Sequence, residues 1–255
     1  MGKIKKGGFF CGTSNIVLQG NKSTFPPEMQ NKSRLTYYST IFNSLEVNAS
    51  FYKIPKKKTF GRWAGETHSD FRFTIKVWKE ISHARGLNFK SEDLSLFMEA
   101  VAGTGDKLGC LLLQLPKSTG VANLDKLEDL LNQVTESQSE QKIRIALELR
   151  NPDWYTEDSR RLFSKKNVSL VQHDMPGSAP GNLPGNPSFV VLRFHGPQGD
   201  YRGNYGEQLL LEKATKARQW INSGKDVYAY FNNTIGDAYT DTLNFMRLVN
   251  SDTAD

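Results

Sequence analysis

Along this 255-residue chain, short apolar runs alternate with stretches of helical spacing. The clearest run is Ser188-Phe189-Val190-Val191-Leu192-Arg193-Phe194-His195-Gly196, β-branched and aromatic, stopped by Gly196 and Pro197. It reads as a buried strand. Side chains alternate across a strand, so Phe189, Val191, Arg193 and His195 share one face and Val190, Leu192 and Phe194 the other. The second face is apolar throughout. The first begins apolar and turns cationic at its C-terminal end, which is how a parallel α/β barrel builds a site on its strand ends.

Seven other runs behave as strands: 9–14, 44–48, 71–78, 108–115, 143–150, 168–174 and 227–232. Helical spacing predicts helices over 33–42, 91–102, 124–134, 158–166, 208–222 and 238–249. Thr59 is read as the cap of a short helix carrying Phe60 and Trp63. Residues 175–188, dense in Gly and Pro, predict a plain loop between the sixth and seventh strands. Strands alternating with helices predict an α/β fold with a parallel sheet. Eight such units at this length predict one TIM-type (β/α)8 barrel. No composition break or linker appears, so 1–255 reads as a single domain with polar tails at 1–8 and 250–255.

In such a barrel the strand C-termini converge on one mouth. Parity places Thr13, Glu46, Asn48, Lys76, Gln114, Glu148, Arg150, Asp174, Arg193, His195 and Asn232 there. His173 falls on the outward face of its strand. Ions are seldom buried unpaired, so a ring of inward ionisable groups is either an internal ion-pair system, such as Glu148 with Arg150, or a functional site. As a site, Glu46, Glu148, Asp174 and His195 are the catalytic candidates, as acids, bases or ligands. Lys76, Arg150 and Arg193 would grip an anion, Arg with two parallel hydrogen bonds. Asn48, Gln114, Asn232 and Asn233 would position hydroxyls. Tyr52, Tyr201 and Tyr205 would stack on a ring. His83 lies in a loop over the mouth.

Composition narrows this little. A formal charge of +6 permits an anionic ligand or nucleic acid without requiring one. Cys11 and Cys110 each sit in an apolar run, as free buried thiols would, and no histidine stands at zinc spacing from them. No apolar run approaches ~18 residues and the basic N-terminus lacks a signal segment, so a cytoplasmic protein without a membrane span is expected. Neither a Gly-rich phosphate loop nor a G-x-S-x-G elbow is present. No cofactor is expected. A divalent metal near Glu46, Glu148 and His195 is the lesser reading, because three cations interleave with the acids.

Seven segments occur in a characteristic order: Cys11-Gly12-Thr13-Ser14; Leu45-Glu46-Val47-Asn48 running into Ser50-Phe51-Tyr52; Phe73 to Lys76 with Ile81-Ser82-His83; Leu113-Gln114-Leu115-Pro116; Glu148-Leu149-Arg150 with Trp154; Leu192-Arg193-Phe194-His195-Gly196; and Tyr230-Phe231-Asn232-Asn233. This order resembles the YecE-like family, domain of unknown function 72, over about residues 9 to 245. The resemblance implies a TIM-type barrel and no settled activity. The family's Gly-Thr-Ser is usually followed by Gly-Trp, where Asn15-Ile16 stand here, and Thr234 replaces a commoner charged or aromatic residue. The expected function is an enzyme acting on a phosphorylated or otherwise anionic sugar or nucleotide-like substrate at the barrel mouth. The alternatives are a nucleic-acid-binding protein without catalysis and a metal-assisted phosphoester hydrolase.

Overall fold

The computed structural model describes residues 5–137, 143–181 and 186–251. Among the described residues nine parallel strands form two sheets. One has five strands in the order β2 (Ser44–Val47), β3 (Arg72–Lys76), β4 (Leu108–Leu115), β5 (Ile145–Leu149) and β6 (Ser169–Leu170). The other has four, in the order β1 (Phe9–Thr13), β9 (Asp226–Phe231), β8 (Phe189–Phe194) and β7 (Gln172–His173). Neither sheet closes on itself. They approach each other at two seams. Only Val171 separates β6 from β7, so one extended run pairs first with β5 and then with β8. Beyond β1, Ser14 makes a parallel bridge to Glu46, and the Asn15 amide donates to the Glu46 carbonyl at 2.8 Å.

Helices follow from amphipathic spacing and caps. In α6 (Leu124–Glu136), Leu127, Leu130, Leu131 and Val134 are buried at the i, i+3, i+4, i+7 positions of one face. Ser33 caps α1 (Arg34–Ile41) by accepting from the Thr36 amide, and Thr156 caps α7 (Glu157–Lys165) from the Ser159 amide. The remaining helices are α2 (Ala49–Tyr52), α3 (Lys57–Gly65), α4 (Lys79–Ser82), α5 (Ser91–Val101), α8 (Glu207–Asn222) and α9 (Ala238–Asn250). Thr59 does not cap α3. Lys56, still in an extended conformation, takes the cap position, the helix begins at Lys57, and Thr59 lies inside the first turn. No described helix is long and apolar enough to cross a membrane. The described part of the expected 175–188 loop holds neither helix nor strand, and Tyr155 pins it by donating to the Ser178 carbonyl. Residues 182–185, and residues 1–4 and 252–255 of the expected tails, lie outside the described residues.

Packing divides into three apolar clusters. Two lie between the sheets' outer faces and the helices. The third joins the inner faces: Cys110, Leu112 and Ala146 of one sheet and Val171 at the seam meet Phe189, Val191, Tyr228 and Tyr230 of the other. Gly12 permits a close approach at the seam, because a Cβ there would stand 1.9 Å from the Ser44 carbonyl oxygen. Tyr230 crosses from β9 to the other sheet, its hydroxyl 2.6 Å from Ser44 Oγ and 2.7 Å from Thr74 Oγ1.

Because these three hydroxyls are buried, Tyr230→Phe should leave Ser44 and Thr74 short of a partner. It should cost about 1–3 kcal/mol in urea denaturation with little change in the slope. An unchanged midpoint would show that the cross-sheet bonds contribute nothing net.

Candidate functional site

Arg193, on the inner face of β8, is 1% exposed and points at the opposite sheet. Its Nε donates to Glu46 Oε2 and its Nη2 to Glu46 Oε1, both at 2.7 Å, a bidentate pair. Nη1 donates to Glu148 Oε2 at 2.5 Å. Both carboxylates are fully buried, on β2 and β5. Arg150 follows β5 and donates from Nε to Glu148 Oε1 at 2.6 Å, realising the internal ion pair. Ser14 Oγ and Asn48 Nδ2 complete the shell of Glu46 Oε1, at 2.6 and 3.1 Å.

His195 is bound at both ring nitrogens. Its Nδ1 lies 3.1 Å from Asp174 Oδ1, and its Nε2 lies 3.1 Å from Arg193 Nη1 and 3.0 Å from Arg150 Nη2. Guanidinium groups only donate, and an ionised carboxylate only accepts. The ring is therefore the neutral tautomer with its proton on Nδ1. Asp174 also accepts from the His195 amide at 2.8 Å and from the Tyr205 hydroxyl, which itself accepts from the Gly196 amide at 2.6 Å.

The charges are fixed by this wiring. Burial alone would raise the Glu46 and Glu148 carboxyls, but Arg193 outweighs it and holds Glu46 below the ordinary range and Glu148, which Arg150 also neighbours, well below it. Burial likewise opposes Asp174, which hydrogen bonds from His195 and Tyr205 keep low. Burial pushes His195 down against the pull of Asp174. Lys76 differs. Burial, then the Arg193 charge, lower its ammonium to about 8. Its Nζ stands 4.2 Å from the centre of the Phe51 ring and makes no hydrogen bond or ion pair among the described residues. His83 packs edge-on against the same ring at 4.8 Å and accepts or donates at Ser82 Oγ. Burial and Lys76 lower His83 to about 4, so it is neutral.

The structure thus joins Glu46, Asn48, Glu148, Arg150, Asp174, Arg193, His195 and Tyr205 in one network, with Lys76 and His83 beside it. Gln114 is in register with Glu148, and Asn232 follows β9; both are half-buried. Tyr201 lies 5.8 Å from the His195 ring, at the surface, and Tyr52 is 72% exposed. Asn233 is buried elsewhere. Its amide donates to the Gly203 carbonyl and to Asp241, fastening the loop that carries Tyr201 and Tyr205 to α9.

Three placements correct the parity assignment. Thr13 faces α1, where Tyr38 meets it at 3.0 Å, and Ser14 faces Glu46 instead. The side-chainless Gly12 hid the phase of β1. On the sixth run the inner face carries Val171 and His173, not Leu170 and Gln172. Apolar residues on both faces made that phase unreadable. Asp174 reaches His195 because the chain has left the ladder. His173 is therefore interior, its ring 6.0 Å from that of His195, its Nε2 without a partner, and burial lowers it to about 4. Among the described residues no group of three or more His, Cys, Asp or Glu is placed to hold a metal. In the first loop Asn15 has φ of 62°, the left-handed region that Gly, and after it Asn, tolerates.

The sequence profile described as protein of unknown function DUF72 matches residues 11–255. The UPF0759 protein YunF of Bacillus subtilis (strain 168) is 25% identical over 253 residues, 84% of this chain and 85% of its own length. The UPF0759 protein YecE of Escherichia coli (strain K12) is 28% identical over 121 residues, 48% of this chain and 43% of its own. Two solved DUF72 structures are similar. That from Enterococcus faecalis V583 has a TM-score of 0.77 at 22% identity, covering 97% of this chain and 99% of its own. That from Thermotoga maritima MSB8 has 0.74 at 24%, covering 96% and 100%. At such identities they show the α/β fold.

Arg193→Met would leave the buried Glu46 carboxylate without a cation and Glu148 with Arg150 alone, and should cost about 3–5 kcal/mol at pH 7. The two folded-state carboxyls lie below their ordinary 4.5, so the stability they contribute is complete above that pH and is lost as pH falls through their folded values. Without Arg193 they should protonate more readily. The gap between wild type and variant, measured by urea unfolding, should shrink from pH 7 to pH 4. A constant gap would contradict the ionised assignment.

Proposed function

The chain belongs to the DUF72 family of proteins of unknown function, and from that premise we propose an enzyme that acts on a small anionic substrate, of the phosphorylated-sugar or nucleotide kind, at the C-terminal ends of the strands. In this proposal the two sheets work as one eight-stranded barrel, the β6–β7 run and the Ser14–Glu46 bridge serving as its seams. The observation that carries it is Lys76, a partly buried ammonium that makes no hydrogen bond or ion pair among the described residues, beside a network whose two arginines are already spent on carboxylates.

Roles differ from those parity alone would assign. Arg193 holds Glu46 and Glu148 and has one N–H of its five left, so it orders the site rather than gripping the substrate. His195 offers no free nitrogen as a base. Lys76 meets the anion, with the 11%-exposed side chain of Arg150 beside Glu148 as the second cation. Lys76 is also the group placed to exchange a proton near neutral pH. Exposed Lys22, Lys32, Lys53, Lys56, Lys79, Arg85, Lys90, Lys117 and Arg202 on the loops and short helical turns after the strands outnumber Glu28, Glu80, Asp153, Asp200 and Asp237 there, which draws anions toward this end. The same rim supports the second reading, nucleic-acid binding, whose mark would be a steep loss of affinity with salt.

Inorganic phosphate and ribose 5-phosphate should bind the wild-type chain in calorimetry. Lys76→Met should weaken binding about tenfold or more while the circular dichroism spectrum stays unchanged. Affinity should fall as pH rises through about 8, because the ammonium is then lost. Equal affinity in the variant, or binding that strengthens with pH, would sink the assignment.

A further inference from the structure

We propose that Lys76 is a nucleophile that forms an imine with an aldehyde or ketone carrying an anionic group; the proposal rests on the anion-binding mouth described above and specifies its substrate class. The geometry comes first. Other lysines with perturbed environments are tied down: Lys107 Nζ donates to the Ala64 and Thr67 carbonyls at 2.6 and 2.7 Å, and Lys225 Nζ donates to the Pro187 carbonyl at 3.0 Å. Lys76 Nζ has only the face of Phe51. Its strand is clamped at that point, since Ser50 Oγ donates to the Lys76 carbonyl at 2.7 Å and the Val77 amide donates to the Leu112 carbonyl at 2.9 Å. The amine is held on an ordered stem, with an apolar ring on one side and no hydrogen-bonding partner to release before it reacts.

The neighbours fit the chemistry. The free amine's lone pair adds to the carbonyl carbon, the C=O π electrons move to oxygen, and a proton passes from nitrogen to oxygen. The carbinolamine then loses water as the C=N bond forms. Amine and carbonyl give imine and water, the imine nitrogen then takes one proton from solvent, and nothing is oxidised or reduced. The protonated imine keeps the positive charge of the ammonium it replaces, so Glu46 and Glu148 stabilise it as they do Lys76. The substrate's anionic group falls to Arg150. An amine titrating at about 8 is roughly one-tenth unprotonated at pH 7, against well under one-thousandth for an ordinary lysine.

The test uses the full chain with pyruvate or glyceraldehyde 3-phosphate and sodium cyanoborohydride, followed by intact mass and peptide mapping. The expected result is a single reduced adduct on Lys76, formed roughly tenfold or more faster than on any other lysine and faster still as pH rises toward 8. Lys76→Arg, whose guanidinium does not condense with a carbonyl to an imine under these conditions, should form no adduct at that position. Adducts spread evenly over exposed lysines, or none at all, would overturn the proposal. If phosphate binding still depends on Lys76 while no adduct forms, the covalent step alone fails. An adduct at Lys76 without phosphate binding would keep the imine and remove the anionic substrate. Failure of both would remove both.

Discussion

A guanidinium buried between two carboxylates on opposite sheets is the constraint on which the rest of this molecule depends. Arg193 comes from β8, while Glu46 and Glu148 come from β2 and β5 of the other sheet. No backbone ladder joins β8 to either. Apolar contact between the inner faces brings the sheets together, but it is non-directional and tolerates sliding. The bidentate bond to Glu46 and the single bond to Glu148 tolerate far less, because any shift exposes an unpaired ion to a medium that cannot solvate it. Arg193 thus sets the relative register of the sheets at the end where the candidate site lies. Tyr230 does the same, with neutral groups, nearer the middle of the strands. At the opposite end, Arg144 pairs with Asp226 across the sheets at 2.6 Å.

From that clamp the state of every other group follows. Arg193 and Arg150 both aim hydrogens at His195 Nε2, which forces the proton to Nδ1 and toward Asp174. Asp174 then draws in Tyr205, and Tyr205 brings the loop 199–205, which Asn233 and Asp241 fix from below. The route from Glu46 to Asp241 is therefore one hydrogen-bonded path running from β2 to α9. Its members are held by hydrogen bonds to one another, and they make poor acids and bases for that reason. Chemistry is left to groups at its edge, where desolvation is strong and partners are missing. Lys76 meets both conditions, and His173 Nε2 meets them without a charge.

Much of this was readable from residue order, and the failures have physical causes. Helix and strand limits came out within about two residues because caps, prolines and apolar periods are local. The inner faces of β2, β3, β5 and β8 were readable because each shows polar groups in one phase only. The phase of β1 was lost at Gly12, and that of the sixth run was lost because Val168, Leu170 and Val171 offer apolar residues to both faces. Neither did the sequence reveal that the sixth run changes partner at Val171, since nothing local records which neighbour a strand will pair with. The largest shift concerns roles. Composition shows which ionisable groups converge, but whether an arginine is free or spent depends on distances. Arg193, the most evident anion grip in the sequence, is spent, and Lys76 is not.

That difference bears on why the site would keep so costly a cluster. Replacing matched buried ions with apolar residues is often neutral or stabilising, so a paired network is weak grounds for stability by itself. What this network does supply is a fixed field. Glu46 and Glu148 raise the proton affinity of Lys76 while Arg193 and Arg150 lower it, and burial tips the balance to about 8. Remove one arginine and the lysine returns toward an ordinary ammonium; remove one glutamate and it loses its proton earlier. An anion arriving beside Lys76 adds further negative charge and draws the proton back on, so ligand binding and protonation are linked through the same four side chains. A purely apolar plug would hold the sheets together equally well and would leave Lys76 with no such response.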